Sequence, residues 1–167
     1  MSRIRPKKFS EGAGTTMSEE NKATVRRYFA EALDKRNMDI LDEFFTADCV
    51  IHRPEASEAL VGLDNFKRAL GTLLDTYSEF RTTVHDLFAS DDRVACRLRH
   101  RAVNRDEWTS RIGRHAVAGK TVSWSATIIS RFRDGKIAEE WVCRDELGML
   151  ITLGVLSSTN ATYSEQA

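Results

Sequence analysis

The sequence predicts an α+β fold in which N-terminal helices pack on a curved antiparallel sheet to form a cone enclosing a pocket. Three observations lead there. Helical apolar spacing fills the first half of the chain, alternating strands follow from Phe80 onward, and no linker or repeat separates them. The 167 residues, 41% of them apolar, are enough for one domain with a substantial core.

Residues 1–17, with Arg3, Arg5, Lys7 and Lys8, read as a disordered basic tail, and residues 18–156 as the single domain. Ser18 is a good N-cap, and Glu19 and Glu20 suit the positive end of a helix dipole. Val25, Phe29, Ala32 and Leu33 then recur at helical spacing, predicting a helix over residues 19–35. A shorter helix buries Ile40, Leu41, Phe44 and Phe45, and a brief strand over residues 49–52 stops at Pro54. Gly62 introduces a third helix over residues 63–75. Strands over 80–89 and 93–103 flank a turn; with Asp91-Asp92 as its loop, His85, Leu87, Ala89 and His100 point inward. Residues 104–120 read as a short strand and a long loop, residues 146–156 as a terminal helix, and residues 157–167 as a frayed tail.

The strongest local signal spans residues 122–146, two strands joined by Asp134-Gly135. Strict alternation from that turn pairs Phe132 with Ile137, Ser130 with Glu139, Ile128 with Trp141, Ala126 with Cys143 and Trp124 with Asp145. All ten share one face. That face is mostly apolar and therefore inner, which sends Glu140 and Arg144 outward. Asp145 points into the cone beside Trp124.

Lys+Arg and Asp+Glu balance at 25 each, so no bulk charge draws the chain to nucleic acid or an anionic membrane. No apolar run reaches the ~20 residues of a spanning helix, and no secretory apolar segment opens the chain; a cytoplasmic location is expected. The three cysteines, Cys49, Cys96 and Cys143, are far apart among apolar neighbours and read as buried free thiols. The four histidines lack ligand spacing, so no metal site is expected. No nucleophile elbow and no phosphate-binding glycine loop is present.

Several strings in this order resemble the SnoaL-like polyketide cyclase (ester cyclase) branch of the NTF2-like, or cystatin-like, superfamily. They are residues 50–54 (VIHRP), 62–66 (GLDNF), 83–87 (TVHDL), 92–95 (DRVA), 119–122 (GKTV), and 131–137 (RFRDGKI) running into Glu139, Trp141, Asp145 and Leu153-Gly154. The resemblance covers about residues 18–156. It implies a small-molecule pocket inside the cone, no metal or cofactor, and a dimer or higher oligomer. It also implies ring closure of polyketides in secondary metabolism, by aldol condensation with one inner acid moving protons. Matching Glu-x-Trp-x-x-x-Asp puts that role on Asp145. Where relatives carry a Gly-Thr-His-x-Gly-like string, this chain has Ala102-Val103-Asn104-Arg105-Asp106, without the histidine.

Beside Trp124 and Trp141, Asp145 would be desolvated and its pKa raised, which suits a general acid/base. Alternatively it pairs with an arginine or caps the last helix. His52, in the His-x-Pro string, is either a catalytic partner or a core histidine bonded to backbone. Trp124, Trp141, Ile128, Phe29, Phe66, Asn104 and Glu139 are the candidate substrate-binding residues, with Glu139 alternatively at a solvated edge. Two other readings stand beside the cyclase. One is an epoxide-opening, dehydrating or isomerising enzyme, of which epoxide opening needs Arg99 or Arg101 turned inward. The other is a non-catalytic binding or dimerisation module. Phe80, Val84 and Phe88, placed on the outer face, suggest a homodimer through that face.

Overall fold

The computed structural model describes residues 11–157, with side chains described from residue 17. The tail expected over residues 157–167 lies outside them except for its first residue, as do residues 1–10. Helix α1 (Glu11–Arg27) starts earlier than Ser18, so Ser18 sits inside the helix and does not cap it. The helix widens into a π-helical turn, Tyr28–Leu33, where Asp34 N–H donates to Phe29 C=O at 3.0 Å. Tyr28, Phe29, Ala32 and Leu33 are all buried by that turn.

After it come α2 (Leu41–Phe44), β1 (Phe45–His52), β2 (Leu60–Val61) and α3 (Leu63–Asp75). α3 buries Leu63, Phe66, Leu70 and Leu74, the stripe its spacing predicts. Four strands follow: β3 (Tyr77–Ser90), β4 (Arg93–Asn104), and a small hairpin of β5 (Glu107–Ser110) and β6 (Gly113–Ala116). This hairpin occupies the stretch expected to be mostly loop. It buries Trp108, and half-buried His115 bonds Ser110 through Nε2 at 2.8 Å. β7 (Thr121–Arg133), β8 (Lys136–Arg144) and α4 (Glu146–Thr152) end the described chain. The six-stranded sheet has the order β2-β1-β8-β7-β4-β3, antiparallel except where β1 runs parallel to β8. The helices and the sheet's inner face share one core, the α+β cone that the sequence predicts.

Two β-bulges decide which side chains face that core. Asp134 (φ 52°) and Gly135 (φ 76°) both take positive φ, as the predicted two-residue turn requires. Phe132 pairs with Ile137 as expected, but the next pair is Arg131 with Glu139, leaving Ala138 as an extra residue on β8. Every side chain beyond it changes face. Glu140, Val142 and Arg144 turn inward; Glu139, Trp141 and Cys143 turn outward. In the first hairpin, Ala89 pairs with Val94 and Leu87 with Cys96 as expected, but the register shifts between Val84 and Asp86. His85 is therefore exposed, while Phe80 is buried and Val84 packs against the core, not on the outer face. β4 keeps its parity, and His100 is buried.

Candidate functional site

Cavity lining follows from that register. Phe29 from the π-helical turn, Phe66 and Leu70 from α3, and Trp124 and Ile128 from β7 form an apolar wall around a cavity of about 90 Å³. Polar groups reach it at a few points only: Tyr28, Glu140, His100, Arg53, Glu55 and Arg144.

Glu140 is 1% exposed. Its Oε1 accepts a 2.9 Å hydrogen bond from Ser130 Oγ, on the directly opposite residue of β7. Burial pushes its carboxyl up to about 7, and the Ser130 bond opposes that rise only in part. Nearby thiols feel the same environment: burial raises Cys49 to about 11 and Cys96 to about 12, each with Glu140 as a further cause. Cys143, expected to be buried, is exposed because the bulge turned it out.

His100 lies in an aromatic nest, with ring centroids 5.0 Å from Phe80 and 5.2 Å from Trp124. Burial, then the charge of Arg144, lowers its pKa to about 3, so the ring is neutral. Nδ1 meets Thr82 Oγ1 at 3.1 Å.

Five expected site residues stand elsewhere. Asp145 is exposed and is the N-cap of α4, its Oδ1 accepting from Gly148 N–H at 2.8 Å. A Cβ on Gly148 would run into the Asp145 carboxylate, so a larger residue there would push the capping side chain aside. His52 and Trp141 lie on the outer face, stacked at 5.3 Å with rings 9° apart. Glu139 joins them there, bonding His52 Nε2 at 2.9 Å and Arg131 Nη2 at 2.7 Å. The Arg131 bonds, then His52, hold its carboxyl below the usual range. Asn104 is buried at the end of β4, where Nδ2 donates to Lys120 C=O at 2.9 Å and fixes a loop away from the cavity. Arg99 and Arg101 are exposed, so no acid–arginine–acid set forms through them.

Glu140 escaped the sequence reading because strict alternation placed it outside. The adjacent apolar pair Ile137-Ala138, both buried, is the only local sign of a bulge.

The family model for SnoaL-like polyketide cyclases matches residues 23–153. The chain belongs to that family. Among solved structures, it is similar to IdmH of Streptomyces antibioticus, described as a candidate polyketide cyclase. Identity is 25% and the TM-score 0.69, covering 80% of this chain and 98% of that one. AclR of Streptomyces galilaeus, described as a candidate hydroxylase, is 23% identical with TM-score 0.73, covering 86% of this chain and 87% of that one. A SnoaL-like protein of Jannaschia sp. CCS1 is 15% identical with TM-score 0.73, covering 90% and 99%. No curated protein sequence is significantly similar to the chain. Among the described residues, no helix is long and apolar enough to cross a membrane.

Proposed function

We propose that this SnoaL-like protein is a small-molecule enzyme in which Glu140 is the general acid/base acting on a carbonyl-rich, polyketide-like substrate. One observation carries the reading: a nearly fully buried carboxyl in the wall of an apolar cavity, with its pKa raised to about 7. At neutral pH both protonation states are populated. The carboxylate can take a proton from a carbon flanked by carbonyls, and the acid can return one to the alkoxide formed on ring closure. Neutral His100 offers a polar, uncharged ring to a substrate oxygen in the same cavity. Walls of Phe29, Phe66 and Trp124 suit flat conjugated rings, and orienting a flexible chain there supplies effective molarity for an intramolecular aldol step. IdmH's description as a candidate polyketide cyclase supports the same substrate class. The cavity is smaller than the roughly 300–1,000 Å³ usual for such ligands, so a multi-ring substrate requires the wall to move.

The test is enzyme-catalysed deuterium exchange at the acidic carbon of an aryl β-keto ester, followed by NMR. Glu140→Gln should lower catalysed exchange by about 10²–10⁴-fold while the variant still folds cooperatively and binds ligand. Wild-type exchange rates in that variant would refute the role.

We further propose that two copies pair through the outer sheet face. Phe88, Ala95, Ile129 and Trp141 are successive cross-strand partners there, an apolar row spanning four strands, and the His52 ring of β1 stacks at its end. Phe88 is 68% and Ile129 38% exposed. A continuous row of this kind favours a partner surface over water.

A further inference from the structure

Besides the acid Glu140, two arginines, Arg53 and Arg144, line the cavity. Arg53, Arg144 and Leu73 line both the cavity and an open groove of about 670 Å³. These three side chains are the junction between interior and exterior. Glu55 is the counter-charge at this point, its Oε1 3.2 Å from Arg144 Nη2. Among the described residues Arg53 forms no ion pair. Nε of Arg53 and Nε of Arg144 are both buried without a hydrogen-bond partner among the described residues, whereas Glu55 Oε1 has the Arg144 guanidinium as its ionic partner. Buried donors of this kind are costly when unmade, and a ligand that supplies acceptors at this point removes the cost.

We propose that Arg53 and Arg144 hold a carboxylate carried by the substrate, seated where cavity and groove meet. Two guanidiniums against one glutamate leave a single positive charge. A monoanion neutralises it, whereas a phosphate dianion overshoots. The planar guanidinium fork also matches a carboxylate in two parallel hydrogen bonds. Arg144 and Glu140 share the inner face of β8 four residues apart, roughly 13 Å at ~3.3 Å per residue. A carboxylate anchored at one end therefore sets which carbon of an extended chain lies beside the acid. The substrate class is a carbonyl-rich chain bearing a free acid rather than its ester. This inference rests on the acid/base reading of the same cavity, but its readout is binding.

Isothermal titration calorimetry of the full chain with 3-phenylpropanoate and with its methyl ester tests it. The wild type should bind the acid roughly tenfold or more tightly than the ester, and Arg53→Gln and Arg144→Gln should each erase the preference. Glu55→Gln removes the internal counter-ion and should raise affinity for the acid severalfold while leaving the ester unchanged. Equal affinities in the wild type, no acid binding at millimolar concentration, or a preference surviving both arginine substitutions would overturn the proposal. If an arginine variant fails to fold, Glu55→Gln decides, and unchanged or weaker acid binding there overturns it too. Glu140→Gln should keep the acid preference, so failure of the carboxylate site and failure of the proton-transfer role appear in different variants.

Discussion

Ser130 and Glu140 face each other across β7 and β8, and the serine hydroxyl donates to Glu140 Oε1 at 2.9 Å inside the core. This bond stabilises the charged form of a carboxyl that burial otherwise keeps protonated. Removing the acid and removing its donor should therefore have different signatures. Glu140→Gln is expected to lower catalysed exchange by about 10²–10⁴-fold, the usual worth of a positioned acid/base. Ser130→Ala should retain activity but move the corresponding inflection of the pH–rate profile upward from about 7. A downward move would show that the serine does not stabilise the carboxylate.

Stability against pH gives a second, independent check on the same two groups. Glu140 has a folded pKa near 7 against an ordinary value of 4.5. Between those values the folded chain holds the extra proton, so this group lowers stability as pH rises. His100 has a folded pKa near 3 against 6.5, so between those values the unfolded chain holds the proton and stability rises with pH. From about pH 4.5 to 6.5 the two slopes oppose each other and the wild type should be nearly flat with respect to them. Glu140→Gln should unmask the histidine, gaining about 2–3 kcal/mol over wild type at pH 8 and losing that advantage toward pH 4. Urea denaturation across this range measures it; a variant no more stable than wild type at pH 8 refutes the buried-acid description.

The terminal helix provides the test that separates Glu140 from Asp145. Asp145 bonds Gly148 N–H as an N-cap, and asparagine serves that position almost equally well. Asp145→Asn should be close to neutral in stability and keep catalysed exchange. Asp145→Ala should cost about 1 kcal/mol, visible in thermal melts, also without loss of exchange beyond what unfolding explains. Loss of exchange in folded Asp145→Asn would return the proton-transfer role to that residue.

Much of the cone was legible in the sequence because helical spacing and turn chemistry act locally. The α3 stripe and the Asp134-Gly135 turn needed no knowledge of the rest of the chain. The site was not legible, for a reason that one residue makes clear. Without a bulge, Glu139, Trp141 and Cys143 face inward after Ile137; with Ala138 bulged, Glu140, Val142 and Arg144 do. Either choice buries an acid, so polarity does not reject one of them. Apolar content favours the wrong choice, because Trp141 outweighs Val142. The outward Trp141 is supported by partners distant in sequence, namely the His52 ring from β1 and the Arg93 guanidinium 5.7 Å from its own ring. Trp124, Ala126, Ile128, His100, Phe29 and Phe66, on segments whose parity held, reach the cavity as placed from the sequence.

That outward turn of Trp141 leaves its own prediction. With Ile129 beside it and Phe88 at the far end of the same row, the outer face exposes apolar area that a monomer would leave in water. Burying such area contributes about 25 cal/mol per Å², and a charge set into the centre of the row would forfeit it and add a desolvation cost. Light scattering at micromolar concentration should therefore give a dimer for the wild type and a monomer for Ile129→Asp. Exposed Ile129 makes no contribution to the cavity wall, so the monomeric variant should keep its fold and the pH dependence set by Glu140. A wild-type monomer under those conditions would refute the pairing, and dimerisation unaffected by Ile129→Asp would move it to another surface.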